Sequence, residues 1–272
     1  MDRQALKVGI AGIGAIGSAV AQALDRGEIP GCKLAAISAR SAERAAEFDA
    51  LLSNTVSHVP LQDMAQECDI VLEALPPSMF DKVAAPTLKA GKILVAMSGS
   101  QLLGREDLVE LGRRSGGRIV IPSGAMLGLD AIKATAVGII HEVKIVTRKP
   151  PSSLVGAPYI VRTGLKLDKL DDAICILQGT VLEIAKEFPS NVNVAAAVSL
   201  AGVGPERTKM EIWADPRLQL NTHTLSVRSD SSDFSMSIQN RPSDENPATG
   251  RITSQSVIAY LRQLNAVLRI GT

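Results

Sequence analysis

Residues 6–24, LKVGIAGIGAIGSAVAQAL, constrain this chain more than any other stretch. An apolar run suited to a buried strand, Leu6–Ala11, meets Gly12-Ile13-Gly14-Ala15-Ile16-Gly17 and passes directly into a helical pattern. A GxGxxG in that strand–turn–helix setting has a physical use. Gly12 permits the tight turn, Gly14 lets a pyrophosphate approach the backbone, and Gly17 lets helix pack on strand. The N–H groups at Ala15 and Ile16, at the positive end of the helix dipole, then attract phosphates. The stretch predicts a dinucleotide site at Gly12, Gly14, Ala15, Ile16 and Gly17. A glycine-rich turn can also serve packing alone, so the strand before it and the helix after it carry the inference.

The rest of the first half repeats that alternation. Strands are predicted at Lys33–Ser38, Asp69–Ala74, Lys92–Met97 and Arg118–Ile121. Helices are predicted from Ser41, after Pro76-Pro77 to about Lys89, and near Glu106–Arg114. Hydrophobic residues make up 46% of the 272 and aromatics only 3%. A core of Ala, Val, Ile and Leu suits helices layered on a mostly parallel, doubly wound sheet with right-handed crossovers.

After Pro122 the pattern changes. A glycine-rich segment, SGAMLGLDAIKA, is read as the start of a helix, and Glu142–Thr147, Arg207–Trp213, Asn221–Arg228 and Phe234–Gln239 read as successive strands. Consecutive strands imply a mixed or antiparallel sheet. The chain is therefore divided into a dinucleotide-binding domain over 1–122 and an α+β substrate domain over 123–245. Residues 246–272 carry an amphipathic helix, Thr253–Leu268, expected to pack back on the first domain.

The net charge of +1, without basic runs interleaved with aromatics, argues against nucleic-acid binding. Cys32, Cys68 and Cys175 are widely spaced and odd in number, which points to a reducing compartment and no disulfide framework. The opening MDRQALKVGI lacks a signal core, and no apolar run is long enough to span a bilayer. A cytoplasmic protein without membrane or nucleic-acid partners is expected. No GxSxG, HExxH or zinc-ligand spacing occurs, so metal-free hydride transfer is the chemistry favoured.

An NAD site usually places an acidic residue at the end of the second strand, on the ribose hydroxyls. Here that strand ends Ser38-Ala39-Arg40-Ser41, and Arg40 is either a partner for a 2′-phosphate or a solvated surface charge. NADP is expected to be accepted at least as well as NAD.

Several residues are candidates for the reaction itself. Glu73 and Ser98-Gly99-Ser100 stand at strand ends where ligands of this fold gather, although Glu73 is equally a locally paired residue. Ser123 reads as a helix cap or a substrate contact, and the small residues around Ala125 suit the approach of a flat ring. In Phe188-Pro-Ser-Asn191-Val-Asn193, Asn191 reads as an N-cap or substrate contact, and Asn193 as an amide for a carboxamide or substrate. Arg148 and Lys149 are possible partners for substrate carboxylates. His223, in NTHTLSV, alternates onto one face with Leu225 and Val227, and is either a core histidine or a general acid/base.

GIGAIG (12–17), PSGAMLGLD (122–130), KPPSSL (149–154), FPSNVNVAA (188–196), WADP (213–216), NTH (221–223) and ENPATG (245–250) appear in this order. Together they resemble the L-aspartate dehydrogenases, nicotinamide-dependent enzymes that oxidise L-aspartate to iminoaspartate. The resemblance implies a Rossmann-type domain with a second α+β domain, NAD or NADP as cofactor, His223 as the catalytic histidine, and Ala125 and Asn193 as nicotinamide contacts. It also implies a role near NAD biosynthesis. A homo-oligomer, a dimer, is expected, with the second domain's sheet as a candidate interface. Ala39-Arg40 departs from the Asp-Arg of some relatives and leaves coenzyme preference open. The competing readings are a homoserine dehydrogenase or dihydrodipicolinate reductase type of enzyme, and a non-catalytic dinucleotide sensor.

Overall fold

A computed structural model describes residues 4–189, 192–243, 245 and 249–271. The chain forms two compact units, one of residues up to Gly124 with Thr253–Arg269, the other of Ala125–Ile252 with the residues from Ile270. Among the described residues, no helix is long and apolar enough to cross a membrane.

The first unit alternates strand and helix: β1 (Leu6–Ala11), α1 (Ala15–Asp25), β2 (Cys32–Ser38), α2 (Ala42–Asp49), β3 (Ser57–His58), α3 (Met64–Glu67), β4 (Ile70–Glu73), α4 (Asp81–Lys89), β5 (Ile93–Ala96), α5 (Glu106–Ser115) and β6 (Arg118–Val120). The strands form one sheet in the order β3-β2-β1-β4-β5-β6, every neighbour parallel. This is the doubly wound arrangement that the alternation implies. Order reverses beside β1, so the crevice at the carboxyl ends of β1 and β4 is where such a sheet takes its ligand.

Both faces of this sheet are covered, as near-continuous apolar strands require. Val8, Ile10, Ile70 and Leu72 pack with Val20, Leu24 and Phe48, while Ala11 and Val71 join Ala36, Met64 and Val83. Val257 and Leu261, of a C-terminal helix, are fully buried in the first of these clusters. That helix is tied down at its ends: Gly124 N–H donates to Ser256 Oγ at 3.1 Å, and Arg262 Nε to the Glu28 carbonyl at 2.8 Å.

The second unit runs α6 (Leu129–Thr135), β7 (Ile140–Lys149), α7 (Pro158–Thr163), β8 (Ile174–Thr180), α8 (Val181–Glu187), α9 (Asn193–Ala201), β9 (Thr208–Ala214), β10 (Asn221–Ser229) and β11 (Asp233–Asn240); the C-terminal helix is α10 (Arg251–Leu264). Its sheet, β11-β10-β7-β9-β8, is mixed: β7 and β9 are parallel and the other pairs antiparallel.

The second sheet has one dry face. Val143, Ile145, Met210, Ile212, Leu225 and Val227 are all buried, with α8 and α9 lying against β9. The sequence pattern placed the end of this region near residue 245. The chain stays with the second unit to Ile252, because Pro242 bridges Gly250 and Arg251 N–H donates to the Arg241 carbonyl at 2.9 Å. Accordingly α10 begins at Arg251 and ends at Leu264, two residues before and four residues short of the expected limits.

Candidate active site

In the first unit, the glycine turn has the geometry its residues suggest. Gly12 adopts φ +98°, and a Cβ there would sit 2.5 Å from the Ala74 carbonyl oxygen. At Gly17 a Cβ would lie 1.9 Å from the Gly12 carbonyl oxygen, so helix and turn touch backbone to backbone. Gly14 is the opposite case: it is exposed, and a Cβ would meet nothing within 4 Å. No side chain caps α1, and its first turn holds no carboxylate. Open space over Gly14, beside uncapped N–H groups at Ala15 and Ile16, fits a coenzyme pyrophosphate.

At the end of β2, Arg40 is exposed and makes no hydrogen bond or ion pair with another described residue. The neighbouring Ser41 caps α2, accepting from Arg44 N–H at 3.3 Å. No carboxylate occupies the strand end.

Glu73 proves to be a strut. Its buried carboxylate accepts from the N–H groups of Leu75 (2.9 Å), Met97 (3.1 Å) and Ser98 (2.9 Å) and from Ser98 Oγ (2.9 Å). Burial pushes its pKa up, and those donors pull against that rise. The carboxyl ends of β4 and β5 are thereby locked together, which is the local-pairing reading of this residue.

In the second unit, polar side chains interrupt the dry face at one end of the sheet. His223 on β10 stands opposite Thr147 on β7, and its Nδ1 lies 3.0 Å from Thr147 Oγ1. Burial, and then the positive charge of nearby Lys149, lower the His223 pKa to about 4. The imidazole is therefore neutral at physiological pH. Lys149 shares this face through the two-residue strand period and is itself only 8% exposed. Burial lowers its pKa to about 8. At the next inward position of β11, Asn240 donates from Nδ2 to the Ala125 carbonyl at 3.0 Å.

The other expected residues fall as follows. Ala125 is half-buried at the turn after Gly124, held by Asn240. Asn193 is the first residue of α9 and half-buried. The N-cap of α9 is Val192, not Asn191, and Asn191 itself lies outside the described residues. Ser123 is exposed and caps no helix, because α6 starts at Leu129 with Gly128 as its N-cap at φ +74°. A glycine in left-handed conformation breaks the helix that SGAMLGLDAIKA promised to begin earlier. Among the described residues, no cluster of three His, Cys, Asp or Glu side chains could hold a metal ion.

Arg148 and Lys149 part company. Arg148 points to the opposite face, its guanidinium carbon 4.5 Å from the Trp213 ring centroid and Nη1 3.5 Å from Asp215 Oδ2. Sequence reasoning missed Thr147 and Asn240 as site residues. Thr147 was findable, since it and Lys149 continue the alternation of Val143 and Ile145 on β7.

Comparison with known proteins sets this geometry in a family. Residues 130–264 match the family model described as "Aspartate dehydrogenase, C-terminal", and residues 12–122 match "Homoserine dehydrogenase, NAD binding domain". An L-aspartate dehydrogenase of Bradyrhizobium diazoefficiens is 47% identical over 98% of this chain and 94% of its own length. L-aspartate dehydrogenase 3 of Bordetella bronchiseptica is 45% identical over 100% of this chain and 99% of its own. The crystal structure of an aspartate dehydrogenase from Thermotoga maritima superposes with a TM-score of 0.73, at 26% identity and covering 98% of this chain and 99% of that one. With a coenzyme turn in one unit and a buried, neutral histidine in the other, this chain belongs to the L-aspartate dehydrogenase family.

Proposed function

We propose that the chain oxidises L-aspartate to iminoaspartate with NAD or NADP, reversibly, and that His223 handles the proton. The observation that carries the reading is the buried, neutral His223 held by Thr147, in a chain 45–47% identical to L-aspartate dehydrogenases. The bound nicotinamide supplies the hydride acceptor.

The remaining work falls to residues of this chain. Gly12, Gly14 and Gly17, with the N–H groups of Ala15 and Ile16, hold the pyrophosphate. Ala125 and Asn193 hold the nicotinamide end, and Ser123 and Asn191 are assigned to substrate contact. His223 with its proton on Nδ1, donated to Thr147 Oγ1, keeps the Nε2 lone pair free. Nε2 then accepts or relays the proton that the substrate ammonium must lose before electrons can move toward an imine. Iminoaspartate either enters NAD biosynthesis or hydrolyses to oxaloacetate and ammonia.

Arg40, exposed at the end of β2, is assigned to the 2′-phosphate of NADP, through the planar fork that suits phosphate. The protein is assigned to the cytoplasm, where the free thiols Cys32, Cys68 and Cys175 stay reduced, and to a homodimer.

Purified protein incubated with L-aspartate and either coenzyme, with absorbance of the reduced nicotinamide followed, tests the activity. His223→Ala should lower kcat by about 10²–10⁴-fold while coenzyme binding persists. Full turnover by that variant sinks the mechanism. Arg40→Ala should weaken NADP by about tenfold or more and spare NAD. Light scattering tests the dimer.

A further inference from the structure

We propose that the Lys149 ammonium receives one of the two carboxylates of the substrate, beside His223 on the inner face of the second sheet. This deepens the aspartate reading above and rests on it.

The argument begins with strand register. Thr147 on β7 is paired with His223 on β10, and Lys149 with Ala214 on β9. Lys149 therefore follows Thr147 on the same side of β7, one inward position along from the histidine pair. Below them the face is apolar but for Thr208, through Ile145, Val143, Leu225 and Val227. The chain has placed a cation and a proton acceptor side by side at the edge of a dry surface.

Among the described residues, Lys149 is the only buried lysine or arginine. Folding an ammonium into such a place is costly, and packing alone does not require it at the last position of a strand. Two described carboxylates, on and just after β9, are turned elsewhere. Asp215, whose N–H donates to the Lys149 carbonyl at 2.9 Å, directs its side chain to Arg148. Glu211 pairs with Lys144 on the outer face at 2.6 Å. An ammonium carries three N–H donors, so contacts to protein leave room for a bound carboxylate.

The placement has a second consequence for the reaction. Lys149 is one of the two causes that hold the His223 pKa down. A carboxylate seated on the ammonium offsets that charge, so substrate itself makes His223 a better proton acceptor. Lys149 thus acts as a substrate-binding residue and, through the histidine, as a positioning one.

The test compares Lys149→Met and Lys149→Arg with the unaltered protein. Lys149→Met should raise KM for L-aspartate by about ten- to a hundredfold, the worth of a hydrogen bond to a charged group. Lys149→Arg, which keeps the charge, should recover part of that loss with kcat little changed. L-asparagine, measured as a competitive inhibitor, distinguishes the two carboxylates. A loss shared by aspartate and asparagine assigns the α-carboxylate to Lys149, and a loss confined to aspartate assigns the side-chain carboxylate.

Succinate provides a readout free of turnover: it should raise the Tm of the unaltered protein and not that of Lys149→Met. Unchanged KM and unchanged succinate stabilisation in Lys149→Met overturn the proposal. So does a Lys149→Arg enzyme with unaltered KM and lost kcat, which would make the lysine a proton carrier instead. If the unaltered protein does not oxidise aspartate, the functional reading fails separately, and succinate still reports on the lysine.

Discussion

The Nδ2 of Asn240 donates to the backbone carbonyl of Ala125 at 3.0 Å, across 115 positions of sequence. This bond pins the turn carrying Ala125 to the end of β11, whose paired residue Asn221 lies two positions from His223. The other amide atom, Oδ1, is buried without a hydrogen-bond partner among the described residues. That asymmetry orders the substitutions. Asn240→Asp sets an acceptor against the Ala125 carbonyl and should cost about 2–3 kcal/mol, with kcat/KM falling as the turn shifts. Asn240→Ala loses the bond yet also removes the unpaired oxygen, so it should cost less than Asn240→Asp. Urea denaturation of both variants checks the order.

Glu73 offers four donors nothing but acceptor oxygens. Glu73→Gln would turn an NH₂ group toward some of them, inside a buried site. A loss of about 2–3 kcal/mol in unfolding free energy is expected, of the size seen when a buried polar group loses its partner. A Tm within one degree of the unaltered protein would show that the strut does not hold the two strand ends.

Two glycines of the turn should behave differently when given a methyl group. Gly17→Ala forces a Cβ to within 1.9 Å of the Gly12 carbonyl unless the helix shifts, so stability and coenzyme affinity should fall together. Gly14→Ala has free space and an extended backbone, φ −82° and ψ −167°. Its stability should be preserved while coenzyme affinity drops, because the methyl occupies the phosphate approach. Thermal melts alongside coenzyme titrations separate the two outcomes.

The buried pair His223 and Lys149 gives the free protein a particular pH dependence. Unfolded, His223 takes a proton near pH 6.5; folded, it does so only near about 4. Between those values the unfolded chain binds more protons, so stability falls as the pH drops, by up to about 3 kcal/mol. Lys149 releases its proton at about 8 when folded and 10.5 when unfolded. The cost of burying its charge is therefore relieved as the pH climbs from 8 to 10.5, and stability rises. Urea midpoints against pH should show both slopes, with His223→Gln flattening the acid one and Lys149→Met the alkaline one.

Legibility in the sequence followed the range of the forces involved. The glycine turn, the parallel strands and the inward alternation of His223 are local patterns, and each was readable from adjacent residues. Pairings between distant residues were not. Nothing local says that Thr147 rather than another hydroxyl faces His223, or that Asn240 reaches Ala125, because both depend on strand register. Arg148 and Lys149 looked equivalent as two basic residues before a proline. Carrying β7 through to Lys149 separates them, one stacked on Trp213 and the other buried. β8 and α8 leave no clear periodicity in the sequence, although Thr180 and Glu183 form a capping box that marks the start of α8. The amphipathic stripe of α10 implies a buried face turned to the first domain, but not the particular residues of β1 and α1 that Val257 and Leu261 meet.

That helix bears on how the protein is made. Val257 and Leu261 complete a cluster founded by Val8, Ile10 and Val20, so the unit begun first stays open until α10 arrives. A ribosome delivers more than 230 residues, nearly all of the second unit among them, between Val20 and Val257. Throughout that interval the early sheet exposes the apolar groove meant for α10. A product cut short before residue 251 is therefore expected to aggregate more readily than the full chain.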